Sequence, residues 1–336
     1  MTRWEHGGIL LCTSPPEAET SEGRPIHRSN RPMRTSAGTT SPRGFRPDLR
    51  PRWRLSTIVV VLAVTSLLPA RAGEPGRIDP RHTHVLAVGA CPPFGRVAPA
   101  VCRDSVQEMV AALVGAMGVP PQQVSTLLDA QADYPGVAGE LHRLAQVSQA
   151  GDALIFYYIG HGSLIPVQEG DEGSGMDEVF CLWTPRPPFA AIYAVSAGLW
   201  MRDDELAQLL AQIPARDKLL IVDSCHSGES AQILCPGDCA VDYDTGQDAL
   251  LAAAQRHQIA LLSADRRMGL FTSELLRALD KGSPNLKAAF DIARQATRDA
   301  SRKLCRRLGS CLIQSPTLSD PAGIVARFVF PGLRAP

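Results

Sequence analysis

Two short segments concentrate the residues able to do covalent chemistry. One is Tyr157-Tyr158-Ile159-Gly160-His161-Gly162, the other Asp223-Ser224-Cys225-His226-Ser227-Gly228. A free thiol titrates near ~8.5, so only a few per cent is nucleophilic thiolate at neutral pH. An imidazole beside it supports the thiolate and later protonates a departing amine. Glycines next to both leave room for substrate and free backbone N–H groups to hold a developing oxyanion. His161 and Cys225, 64 residues apart, are therefore the candidate acid–base and nucleophile. His226 is the rival base, but adjacent residues on a strand-to-turn segment point apart, which favours His161. A cysteine after a strand is by itself more often a small buried hydrophobe, and a histidine between glycines a turn residue. The joint placement points to catalysis. His142, on a helix, and His257, before a strand, read as structural.

Each segment continues an apolar run. Ala153–Ile159 and Lys218–Val222 are uninterrupted enough to be strands buried on both faces. Thr83–Gly89, Val124–Leu128 and Ile259–Ser263 read as further strands, and Val325–Phe330 as a final one. Between them lie helical stripes: Val106, Val110, Leu113 and Met117 within 103–117; Leu141, Leu144 and Val147 in a helix ending before Gly151; Leu206, Leu209, Leu210 and Ile213 within 203–213. Thr272–Asp280 and a helix capped by Ser283 with Pro284 in its first turn follow. Residues 163–200 and 226–247 read as loops. Strands alternating with helices predict an α/β sandwich with a mainly parallel sheet. In such sheets function collects past the C-terminal strand ends, where neighbouring strands would bring His161 and Cys225 to one edge.

The chain has 336 residues and balances 34 Lys+Arg against 34 Asp+Glu, which gives no support to a nucleic-acid partner. The charge is uneven: residues 1–54 hold ten Arg and five acids, leaving residues 73–336 at a net of −6. Residues 1–54, rich in Pro, Arg, Ser, Thr and Gly without apolar period, read as a disordered basic leader. Residues 55–72 carry the apolar run Ile58–Leu68 and then Pro69-Ala70-Arg71-Ala72, the pattern of a signal peptide cleaved after Ala72. The expectation is export to a periplasmic or extracellular space, with no stable membrane span after cleavage. A membrane anchor at residues 55–70 is the alternative, although the run is short for a span of about 20 residues. A start at Met33 would explain a leader so far from Met1. Eight of nine cysteines lie beyond Ala72, and Cys91/Cys102, Cys235/Cys239 and Cys305/Cys311 are plausible disulfide couples by spacing, leaving Cys181 and Cys225 as thiols. Zinc is the rival, but no CxxC pair accompanies them.

The His and Cys segments resemble the caspase-like cysteine peptidases, specifically metacaspases and their bacterial relatives. Weaker similarities follow in order over about residues 82–330: Arg103-Asp104-Ser105, Gly170-Asp171-Glu172, Met176-Asp177-Glu178-Val179, Asp203-Asp204-Glu205-Leu206, Gly269-Leu270-Phe271-Thr272 and Gln314-Ser315-Pro316. The resemblance implies a caspase-hemoglobinase-like three-layer sandwich over residues 80–330. It implies a cysteine endopeptidase with a Cys225–His161 dyad and an oxyanion hole of Gly162 and Cys225 backbone N–H. It also implies polypeptide substrates cut after Arg or Lys, with Asp104 and Asp223 selecting the basic side chain; buried guanidinium does need carboxylate partners. Where the family often has Ser, two residues before the His, this chain has Ile159. A helix cap is the other reading of Asp104. No cofactor is required. Calcium is the implied activator, at Asp177, Asp203 and Asp204, with Gln232 where a fourth carboxylate would fall; a solvated acidic loop and a capped helix account for the same residues. A non-catalytic caspase-like module that binds partners is the alternative to the peptidase, and a transpeptidase or amidase on a similar sheet is the third reading.

Overall fold

The structure, a computed structural model, describes residues 76–94, 97–166, 176–225, 247–255, 258–308 and 313–332. The leader, the apolar run 58–68 and the proposed cleavage site lie outside the described residues, as do His226, His257, Gln232, Cys235, Cys239 and Cys311.

A parallel core of β1 (Thr83–Ala90), β2 (Val124–Leu128), β3 (Ala153–Pro166), β6 (Asp217–Asp223) and β7 (Gln247–Ala252) runs in the order β2-β1-β3-β6-β7. An antiparallel edge strand, β8 (Thr317–Ser319), completes it beside β7. β3 also pairs antiparallel with β4 (Met176–Cys181), which pairs with the short β5 (Met201–Arg202). Successive strand residues face opposite sides, and the two cores separate by that parity. Val85, Ile155, Tyr157, Ile159, Leu219 and Ile221 pack against α1 (Pro99–Ala112), α5 (Leu270–Asp280) and α6 (Leu286–Leu308). Leu86, Phe156, Tyr158, Leu220 and Val222 pack against α2 (Tyr134–Val147) and α4 (Asp203–Ala211). This is the three-layer α/β sandwich with a mainly parallel central sheet.

Local chemistry sets the helix ends. Asp133 caps α2 by accepting from Gly136 N at 2.9 Å, with proline in the first turn. α4 opens with Asp203, Asp204 and Glu205, acids at the positive end of its dipole. Among the described residues no helix is long and apolar enough to cross a membrane.

Four sequence expectations are corrected. Residues 163–200 are not one loop: β3 runs to Pro166, β4 returns beside it, and α3 (Ala191–Ser196) and β5 follow. Ile259–Ser263 is not a strand. Its backbone makes one isolated bridge, Leu262 to Gly269, because β7 already fills the edge of β6. β7 escaped reading because Ala249-Leu250-Leu251-Ala252 lacks the β-branched residues that strands favour. Val325–Phe330 forms a single 3-10 turn and one bridge at Val329. Finally, Asn285 caps α6, accepting from Ala288 N at 2.9 Å, while the Ser283 hydroxyl donates to Ala278 O.

Candidate active site

β3 and β6 are adjacent and parallel, and the last residues paired between them are Ile159 and Asp223. His161 and Cys225 each lie two residues further on, at the C-terminal edge and with the same parity. The register thus sets the two residues singled out by type at the same edge of neighbouring strands. Glycine at 162 is required here: a Cβ would lie 2.2 Å from the Cys225 carbonyl oxygen. The backbones of Gly162 and Cys225, the expected oxyanion donors, therefore meet at this level.

The imidazole of His161 stands at the start of the β3–β4 hairpin. Burial disfavours its charged form and lowers its pKa to about 4, so the ring is neutral at pH 7. Its main chain is fixed by Tyr158. That hydroxyl lies 2.9 Å from His161 O and 3.2 Å from Cys181 O, a donation shared between two carbonyls across the β3–β4 hairpin. Gly160 makes room for it, since a Cβ there would sit 2.5 Å from the Tyr158 oxygen. Tyr158 was not singled out by sequence reasoning. The signal was present, because a hydroxyl inside a wholly buried strand must find an acceptor.

Cys225 is buried, and its Sγ accepts from Ala260 N at 3.2 Å. It is not a thiol here. Its sulfur is disulfide-bonded, where the sequence leads one to expect a free thiol. Cys305 is likewise half of a disulfide. The expected Cys91–Cys102 bond is present, and it ties the end of β1 to α1. Among the described cysteines Cys181 is free, and burial pushes its pKa up, so it is no rival nucleophile.

Asp223 is fully buried beside α5. Its Oδ2 accepts from Thr272 N at 3.0 Å and Thr272 Oγ1 at 2.7 Å. Gly269, the N-cap residue of α5, has no side chain to cap with, and Asp223 does that work from the sheet. Burial raises its pKa to about 6 against the lowering effect of Thr272. The Tyr157 hydroxyl lies 2.8 Å from Thr272 Oγ1, and Asp223 beside it helps push the tyrosine pKa up after burial has done so. Asp223 Oδ1 is buried without a hydrogen-bond partner. Asp104 is not a helix cap: α1 begins at Pro99, so Asp104 lies in its second turn, and its carboxylate pairs with Arg267 at 3.2 Å.

The expected calcium residues gather at the β4 and β5–α4 junction. Asp177 is buried; burial first, and the charge of Asp204 second, raise its pKa. Asp203 Oδ1 accepts from Asp204 N at 3.0 Å. Arg202 Nη1 stands 3.7 Å from Asp177 Oδ2, however, and supplies a cation within the group. Among the described residues no three His, Cys, Asp or Glu are placed to hold a metal ion. Calcium wants six to eight oxygens, so these residues do not fit it as arranged.

Comparison with known proteins follows the same segment. The metacaspase, peptidase C14 domain matches residues 100–234, which contain both His161 and Cys225. The chain is 29% identical over 134 residues to metacaspase-7 of Arabidopsis thaliana, covering 38% of this chain and 30% of that protein. It is 30% identical over 142 residues to metacaspase-1 of Scheffersomyces stipitis, covering 39% of this chain and 32% of that protein. The match thus spans about a third of the length of these relatives. Among solved structures, caspase-1 of Spodoptera frugiperda aligns over 75% of this chain and 92% of its own, at TM-score 0.48 and 10% identity. Protein GSU0716 of Geobacter sulfurreducens aligns over 74% and 98%, at TM-score 0.48 and 23% identity.

Proposed function

We propose that this chain, a caspase-like peptidase by its C14 domain, is a cysteine endopeptidase that cuts polypeptides after Arg or Lys. The carrying observation is the equal offset of His161 and Cys225 past paired residues of adjacent parallel strands. The Cys225 thiolate attacks the scissile carbonyl, forming a C–S bond and an oxyanion near the Gly162 and Cys225 backbones. His161 gives the thiol's proton to the amine as the C–N bond breaks. It then takes a proton from water, which adds to the acyl carbon and releases Cys225. Asp104 and Asp223 supply carboxylates for a basic side chain.

The reactive form needs Cys225 reduced. A dithiol reductant gives up two electrons and two protons, leaves as its own disulfide, and frees both cysteine thiols. Export is supported by the Cys91–Cys102 disulfide, a bond that persists in oxidising compartments. A non-catalytic partner-binding module is favoured by one observation, the bonded state of Cys225.

Peptide reporters ending in Arg, Lys or neutral residues separate the readings. The full chain should cleave the basic reporters after dithiol treatment and lose at least ~100-fold of that rate in Cys225→Ala. Cleavage surviving in Cys225→Ala would refute the nucleophile. Inertness of the reduced protein would favour the partner-binding module.

A further inference from the structure

Asp104 Oδ2 accepts two hydrogen bonds from one side chain, Arg267 Nε at 3.3 Å and Arg267 Nη2 at 3.2 Å, from 163 residues away. The turn carrying Arg267 is built internally. Ser263 Oγ donates to Asp265 Oδ1 at 2.6 Å, Arg267 N donates to the same oxygen at 3.2 Å, and Ser263 N donates to Met268 O at 2.9 Å. Arg266, within it, has φ 59°, a left-handed conformation that a residue with a Cβ holds only under constraint. Just past the turn, Gly269 N donates to Ser105 Oγ at 3.2 Å, fastening it to α1 beside Asp104. A Cβ on Gly269 would stand 2.2 Å from Asp223 Oδ2. Residues 267–269 therefore run between the two carboxylates, with the guanidinium on Asp104 and the glycine against Asp223.

Two guanidinium N–H groups on a carboxylate are the contact that an incoming arginine side chain would make. We infer that Arg267 is the chain's own occupant of the basic-side-chain pocket, which a substrate's Arg or Lys must displace in order to bind. This rests on the peptidase reading above and adds a specificity-determining residue to it. Arg267 spends its guanidinium on Asp104, so its effect falls on affinity for basic side chains rather than on the acyl-transfer step. Asp223 Oδ1, buried and unbonded, is a second acceptor not already used by Thr272.

The test is calorimetric binding of N-acetyl-arginine amide to the full chain, with the neutral N-acetyl-citrulline amide as control. Arg267 is exposed, so Arg267→Gln should leave the fold intact. A partly exposed ion pair is worth only a few-fold, so Arg267→Gln should tighten the arginine amide roughly threefold. Arg267→Lys should fall between it and the unmodified chain, and adding Asp104→Asn should abolish the gain. Citrulline amide binding should not change. Equal affinity in the unmodified chain and Arg267→Gln overturns the inference, as does equal tightening of citrulline amide or no detectable binding to either form. None of these readouts uses catalysis. Inertness toward basic reporters after reduction would sink the peptidase reading alone, and an unmoved affinity would sink the Arg267 assignment alone.

Discussion

Asp223 uses one carboxylate oxygen to hold Thr272 and the N-terminus of α5, and buries the other unbonded. Folding raises its pKa from 3.8 to about 6. The folded chain therefore keeps a proton that the unfolded chain has lost between those values. Its contribution to stability is whole below pH ~4 and is lost as pH rises through about 6, a change of about 3 kcal/mol. His161 acts in the opposite sense. Its pKa is lowered to about 4, so stability present above the ordinary histidine value is lost as pH falls through that range. Comparing the native chain with Asp223→Asn isolates the first effect, because His161 is common to both. Urea unfolding between pH 4 and 7 should show the native chain losing about 3 kcal/mol relative to the variant; parallel curves would refute the buried-acid account. The same pKa of His161 predicts that the acid limb of kcat/KM lies below pH 6.5.

At the scale of elements, the site depends on how closely β3 and β6 approach beyond their last paired residues. Gly162 marks that approach, with its missing Cβ 2.2 Å from the Cys225 carbonyl. Gly162→Ala forces the strand tips apart, and overpacking of this kind costs about 1–3 kcal/mol. The expected outcome is that loss in chemical denaturation together with a fall in cleavage rate larger than the stability change explains. An alanine variant with undiminished cleavage would show that the spacing is not needed. The strands that carry the site were legible because their apolar runs are continuous. The hairpin of β3 with β4 was not, since residues 161–164 are only half-buried and leave no continuous apolar run to follow. β7 was hidden for a related reason, because alanine and leucine state no backbone preference that the sheet could not override.

Across the whole molecule, the end of the sheet opposite the site is closed by Arg327. Its Nη1 donates to the buried Asp217 at 2.9 Å, its Nε donates to Gly76 O at 2.8 Å, and its carbonyl accepts from Ile78 N at 3.0 Å. One residue thus joins the start of the described chain, the start of β6 and the 3-10 turn near its end. Removing a cation from a buried carboxylate is strongly destabilising, so Arg327→Ala should lower unfolding free energy by about 3 kcal/mol. β6 spans seven residues from Asp217 to Asp223, or roughly 23 Å at strand rise. The variant's folded fraction should therefore keep its kcat/KM. A proportional loss of kcat/KM would show that the two ends are coupled.

The amino-acid sequence alone determined the layered α/β plan and the two segments that hold the candidate catalytic residues. Apolar periodicity and glycine placement are local properties, written residue by residue. It also named Asp104 and Asp223 through a family resemblance, without saying what each touches. Only the tertiary structure decided that Asp223 caps α5 and that Arg267 lies on Asp104. It likewise decided that Tyr158 steadies the histidine's backbone and that the sulfur at 225 is bonded. These are pairings between residues distant in the chain, and they are fixed by which elements pack together rather than by any local pattern.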